Sequence, residues 1–205
     1  MIDLYFAPTG NGLRASVALE ETGLPYKLHK LDLYKGEQHT EQFRHINPAG
    51  LIPVIVDPDG PGGKPLTLSQ SGAIVLYLAE KSGRFIPADV TVRTLAMQWF
   101  LQAASDVSAA SATIFRLENS APDKSVENVD YFKTRLLDAF LVCDQALEDR
   151  EYLAGELSIA DLMLYPSFAF RRSLVDQSGG YDHLRRWADT MAARPGVQRG
   201  MRHAS

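Results

Sequence analysis

The stretch Asn47-Pro48-Ala49-Gly50-Leu51-Ile52-Pro53-Val54-Ile55-Val56-Asp57 places a proline directly before a β-branched run. Proline has no backbone N–H to give to a sheet ladder, so it belongs at the first residue of a strand, and its ring pushes Ile52 toward an extended conformation. A strand is expected from Val54, and the Ile52-Pro53 bond is a candidate for the cis form. Such an arrangement makes sense if Ile52 offers its own N–H and C=O to a ligand.

Working outward, Leu66-Thr67-Leu68 is a second short apolar run, separated from Val54-Ile55-Val56 by the Gly/Pro-rich segment 57–65, and the two read as an antiparallel hairpin. Ser69-Gln70-Ser71 then supplies capping side chains for a helix with Ile74, Tyr77, Leu78 and Lys81 on one face and a stop at Gly83. Upstream, residues 2–7 form an apolar run, expected to be a strand buried on both faces, that ends in Pro8-Thr9-Gly10-Asn11-Gly12. A helix follows over 13–22, with Gly23 and Pro25 as its stop, and a parallel strand is expected over 26–33. Residues 35–47 are polar apart from Phe43 and Ile46 and read as a short surface helix. The order is β-α-β-α-β-β-α.

After residue 84 no strand pattern recurs. Residues 91–112, 126–148, 158–171 and 181–194 read as helices, punctuated by Pro122, Gly155, Gly179-Gly180 and Pro195-Gly196. The expected fold class is α/β plus all-α, with a first domain over 1–82, a linker over 83–91 and an all-helical domain over 92–205. In the second half Ser158-Ile159-Ala160-Asp161 is a capping box, a structural device with no catalytic role.

Composition narrows the function classes. The 21 basic residues against 25 acidic ones, with no basic run beyond Leu184-Arg185-Arg186, exclude a nucleic-acid face. The start has no basic segment followed by an apolar stretch and a small-residue cleavage site, and no apolar run is long enough for a bilayer, so no membrane partner and a cytoplasmic location are expected. The single cysteine, Cys143, stands among Phe140, Leu141, Val142 and Leu147 and reads as a buried, inert thiol. The five histidines show no metal-ligand spacing, and no metal is expected.

A βαβ unit followed by a proline-led hairpin and a helix is a thioredoxin-like arrangement. With Asn47 to Val54, Gln70-Ser71-Gly72-Ala73-Ile74 with Tyr77-Leu78, and Ser158 to Asp161 in a helical second half, the chain resembles the cytosolic glutathione transferases over essentially its whole length. The resemblance implies glutathione as co-substrate, a small electrophilic or disulfide second substrate, and a homodimer. It implies that Ile52, presented by Pro53, pairs with the cysteinyl backbone of glutathione, and that Gln70 and Ser71 hold the γ-glutamyl carboxylate. By the same resemblance Gln38 meets the glycyl end, and Asp106 reaches the γ-glutamyl amine in the neighbouring subunit. For Gln38 a solvated side chain and for Asp106 a solvated helix carboxylate are the alternatives.

Members of the family activate the thiol with a Tyr, Ser or Cys near the end of the first strand, where this chain has Gly10. The loop is similar instead to that of the bacterial Nu-like, disulfide-reducing group, which implies Thr9 and Asn11 as the catalytic pair. A free thiol has a pKa of about 8.5, and each unit of depression needs about 1.36 kcal/mol of preference for the thiolate, which hydrogen bonds from a hydroxyl and an amide can supply. Tyr5 is a competing candidate, and simple turn chemistry is the alternative for Thr9 and Asn11. Two activities follow: attack of the glutathione thiolate on an electrophile, and glutathione-dependent disulfide reduction with no protein cysteine. A non-catalytic ligand-binding or interaction protein of the same fold is the competing reading. An electrophile site is expected between the domains near Phe115, Arg116, Tyr165 and Phe168, for which ordinary helix packing is the alternative.

Overall fold

The computed structural model describes residues 1–204 and groups them into two compact units, Met1–Arg84 together with the residues from Ala193 on, and Phe85–Ala192. The first unit is thus built from both ends of the chain.

In it, strands β1 (Ile2–Phe6), β2 (Tyr26–Lys30), β3 (Val54–Asp57) and β4 (Leu66–Ser69) form one sheet in the order β2-β1-β3-β4. β1 and β2 are parallel, as a βαβ crossover through α1 (Gly10–Thr22) requires, while β1–β3 and β3–β4 are antiparallel. Helices α2 (Glu41–Ile46) and α3 (Ser71–Ser82) complete the expected β-α-β-α-β-β-α order.

β1 differs from the sequence reading, because its burial alternates. Ile2, Leu4 and Phe6 are fully buried, whereas Asp3 and Tyr5 on the other face are half-buried. That second face carries its own small cluster of Leu31, Phe43 and Val54, joined by Tyr5, Ile46 and Ile52, so the short α2 covers only part of it. β2 also ends three residues early. The Asp32 carboxylate accepts from the backbone N–H groups of Tyr34 and Lys35 and turns the chain out of the sheet.

A helix that the sequence reading treated as punctuation, α9 (Pro195–Met201), packs along α1. Pro195 occupies its first turn, where the missing N–H costs no hydrogen bond. The carboxylate of Glu21, almost wholly buried, accepts from the Val197 N–H at 3.1 Å and from Arg194 Nη2 at 2.7 Å, placing an acid at the helix start. Gly200 permits the close approach: a Cβ there would lie 2.6 Å from Val17 Cα.

The second unit is helical, with α4 (Val90–Leu101), α5 (Ser108–Asn119), α6 (Val126–Ala146), α7 (Ile159–Ser178) and α8 (Asp182–Ala192). α4 and α5 are joined without a break by a wider turn over Gln102–Val107, where Ser105 and Ser108 hydroxyls donate to the carbonyls of Leu101 and Ala103. The core is built on Phe140, Phe168 and Trp187, whose rings meet edge to face. Cys143 is buried beside them in α6, and burial pushes its thiol up to about 12. Among the described residues no helix is long and apolar enough to cross a membrane.

Candidate active site

The register of the sheet brings three chain segments to one end of it. Tyr5 pairs with Val54, and Val54 pairs with Ser69. The chain leaving β1 toward Thr9, the Ile52-Pro53 pair before β3, and Gln70-Ser71 after β4 therefore all lie at this end, and α1 and α3 both start here. Two helix N-termini with unsatisfied N–H groups favour anions at this place.

At the first of these starts Thr9 is the N-cap of α1, and its Oγ1 accepts from the Gly12 N–H at 3.1 Å. A hydroxyl that accepts from the backbone keeps its own proton to donate. Turn chemistry and a donor role for Thr9 are thus compatible. Asn11 is exposed, and its side-chain oxygen accepts from Arg14 Nη1 at 2.5 Å. Gly12 is required by packing, since a Cβ on it would stand 2.1 Å from the Ala7 carbonyl oxygen and 2.9 Å from the Phe6 ring.

At the second start, Ser71 is the first residue of α3 and is buried; its Oγ accepts from Arg14 Nη1 at 3.2 Å. Gln70 stands before it at φ 73°, ψ 113°, a conformation rare for a side chain with a Cβ. Strain of this kind is retained where neighbouring structure over-determines it, and it concentrates at ligand-holding sites.

The Ile52-Pro53 bond is cis. The loop before it is braced by Asn47, itself buried, whose Nδ2 donates to the Leu51 carbonyl at 2.7 Å and whose Oδ1 accepts from the Ala49 N–H. Gln38 lies against the same loop, because a Cβ on Gly50 would be 3.1 Å from the Gln38 carbonyl oxygen. The Gln38 side-chain oxygen is buried with no hydrogen-bond partner among the described residues.

Tyr5 is not part of this group. Its ring stacks on His29 at 4.6 Å and meets Phe43 edge-on, on the sheet face opposite Leu4 and Phe6, and burial raises its phenol above the ordinary value. Asp106 belongs to the helical unit, exposed within the wide turn, with its Oδ1 3.3 Å from the Ser105 hydroxyl oxygen. That unit has its own cleft of about 360 Å³, lined among others by Ser105, Asp106, Thr113, Phe132, Arg135 and Asp138. Of the four residues expected around an electrophile, Phe168 and Tyr165 are instead core residues, held by ring contacts with Phe140 and Trp187, whereas Phe115 is exposed.

Arg14 and Asn47 are the site residues that sequence reasoning passed over. Arg14 looks like one more polar residue of an amphipathic helix, yet only 3% of it is exposed.

The fold and this site define a class of protein, and comparison with known sequences bears it out. Residues 11–81 match the glutathione S-transferase N-terminal domain and residues 95–195 the glutathione S-transferase C-terminal domain. The chain belongs to the glutathione S-transferase family. It is 36% identical over 198 residues to the disulfide-bond oxidoreductase YfcG of Escherichia coli, covering 95% of this chain and 92% of that one. It is 31% identical to the disulfide-bond oxidoreductase YghU of the same organism, covering 97% of this chain and 73% of that one. A glutathione transferase from Pseudomonas putida, crystallised with one glutathione disulfide per subunit, superposes with a TM-score of 0.90 at 32% identity, over 98% of this chain and 90% of that chain.

Proposed function

We propose that the protein is a cytoplasmic, homodimeric enzyme that binds glutathione at the shared end of the sheet and uses its thiolate in two reactions. One is attack on a small electrophile. The other is reduction of a disulfide, which the names of the two bacterial relatives favour. In the second, a glutathione thiolate attacks one sulfur of the substrate disulfide and expels the other as a thiolate, leaving a mixed disulfide. A second glutathione thiolate attacks the glutathionyl sulfur of that intermediate, releasing glutathione disulfide and the second substrate thiolate. Two electrons pass from two glutathione molecules to the substrate, and no protein sulfur takes part.

The observation that carries this reading is the convergence of Thr9, Asn11 and Ser71 at two helix starts, beside the backbone turned by Pro53. The Thr9 hydroxyl and the Asn11 amide donate to the thiolate. Ser71 and Gln70 donate to the γ-glutamyl carboxylate, the Ile52 N–H and C=O pair with the cysteinyl backbone, and Gln38 meets the glycyl end. Asp106 meets the γ-glutamyl amine of glutathione held by the neighbouring subunit. Each hydrogen bond to a charged group contributes about 1.5–3 kcal/mol, enough to move a thiol pKa by about one unit or more.

Replacement of Thr9 or Asn11 by alanine is expected to raise the pKa of bound glutathione by about one unit each, read from thiolate absorbance against pH. Unchanged values in both variants would remove the pair from the mechanism. Failure of the unaltered protein to turn over either a chloronitrobenzene or a hydroxyethyl disulfide at saturating glutathione would overturn the enzymatic reading.

The remote cysteine gives a separate check. With its thiol pushed up to about 12 by burial, Cys143 is expected to resist an aromatic disulfide reagent in the folded protein and to react once the chain is unfolded. The Cys143→Ala variant is expected to reduce hydroxyethyl disulfide with unchanged kcat.

A further inference from the structure

Asn11 and Ser71 share one buried cation, the guanidinium of Arg14. Resting on the functional reading above, we infer that Arg14 is the positioning residue that fixes the direction in which Asn11 and Ser71 donate.

A guanidinium has hydrogen-bond donors and no acceptor. The atom of the Asn11 amide that faces Arg14 Nη1 at 2.5 Å is therefore the carbonyl oxygen, and the NH₂ is turned away from Arg14. Without the guanidinium the amide could present either end, and half of the possible orientations would aim an oxygen at a thiolate. The same nitrogen donates to Ser71 Oγ at 3.2 Å, so that hydroxyl accepts from Arg14 and its proton is left for an acceptor elsewhere. Donation from a cation into Oγ also polarises the O–H bond and strengthens what it gives onward.

Asn11 and Ser71 lie 60 positions apart in the chain, at the starts of α1 and α3, and Arg14 is one turn into α1, 3% exposed. A long, planar, permanently charged side chain can meet both at once, which a shorter amide could not. Burial lowers the guanidinium only to about 10, so it is charged throughout the working range.

The test is a pair of double-mutant cycles with glutathione as the probe. Arg14→Met keeps the unbranched stem and removes the donors. It is expected to raise the pKa of the bound thiol by about one unit and the KM for glutathione by about tenfold. In an Asn11→Ala background the same substitution should add nothing further to the thiol pKa, and in a Ser71→Ala background it should add little to KM. A general loosening of the site would add its full effect in every background, and that additivity would overturn the inference. So would Arg14→Met with both quantities unchanged.

If Arg14→Met does not fold, Arg14→Lys, which keeps the charge but loses the fork, is put through the same two cycles with the same two outcomes. Failure of the underlying reading is distinguishable, because the unaltered protein would then not bind glutathione, or Asn11→Ala alone would leave the thiol pKa unmoved.

Discussion

An Asp161→Ala variant is expected to lose about 3–5 kcal/mol of folding stability, measured by urea or thermal unfolding of the purified protein. Asp161 is fully buried, and its two oxygens accept four hydrogen bonds. Oδ1 takes the Leu153 N–H at 3.2 Å and the Trp187 Nε1–H at 2.9 Å, and Oδ2 takes the Ser158 N–H at 2.9 Å and the Ser158 hydroxyl at 3.2 Å. Burial pushes the carboxyl up to about 6 against the pull of these donors, so it is ionised at neutral pH. Removing it leaves three N–H groups buried without an acceptor, each costing about 1–3 kcal/mol, with some relief as the site relaxes. As a capping box alone the position would cost about 0.5–2 kcal/mol. The excess comes from the loop at Leu153 and the ring of Trp187, which the same carboxylate ties to the start of α7. A loss below about 1 kcal/mol would mean that the carboxylate caps the helix and does nothing more.

A Gly12→Ala variant is expected to fold and to lose about a hundredfold in kcat/KM, with a stability cost of about 1–3 kcal/mol. The added carbon would stand 2.1 Å from the Ala7 carbonyl oxygen, a backbone atom with no freedom to rotate aside. The segment from Ala7 to Asn11 has to move by about 1 Å to make room, which is the scale of misplacement that costs about two orders of magnitude in rate. The Thr9 Oγ1 bond to the Gly12 N–H moves with it. The helix interior itself prefers alanine, so the propensity term favours the variant slightly and the loss is steric in origin. Glutathione turnover and a melting curve on the same preparation separate the two parts. Full activity with an unchanged melting point would show that the loop is loose enough to tolerate the carbon.

The element order, the hairpin and the helical second half are legible in the sequence because their signals are local, whereas the strand order β2-β1-β3-β4 is not. Gly23, Gly83 and the segment 57–65 mark ends and turns without reference to anything distant, and Ser158 announces a helix start by its own chemistry; the helix read from residue 13 begins instead at Gly10 with Thr9 as its cap, and Ser71 is the first residue of α3, not its cap. What escaped depends on partners far along the chain. Arg14 is defined by Ser71, 57 positions away; Asp161 by Trp187, 26 away; and Glu21 by Arg194, 173 away. No periodicity within a window of a dozen residues carries those pairings. α9 escaped for a different reason, since Pro195-Gly196 reads as a breaker and in fact opens a helix. For Tyr165 and Phe168 the sequence leaves pocket lining and helix packing open, because aromatic residues in either role have the same spacing, and the structure places both in the core.

The docking of α9 on α1 sets the order in which the protein can be completed as it is made. Ser16 and Glu21 find their partners at Gly200 and Arg194, residues that leave the ribosome only after the whole helical unit has been synthesised. The unit that carries Thr9, Asn11 and Ser71 therefore begins first and closes last, and its closure spans nearly the full contour of the chain. Until then Val17 lacks the close cover of Gly200, and a nascent chain halted anywhere before α9 leaves Ser16 and Glu21 without these partners.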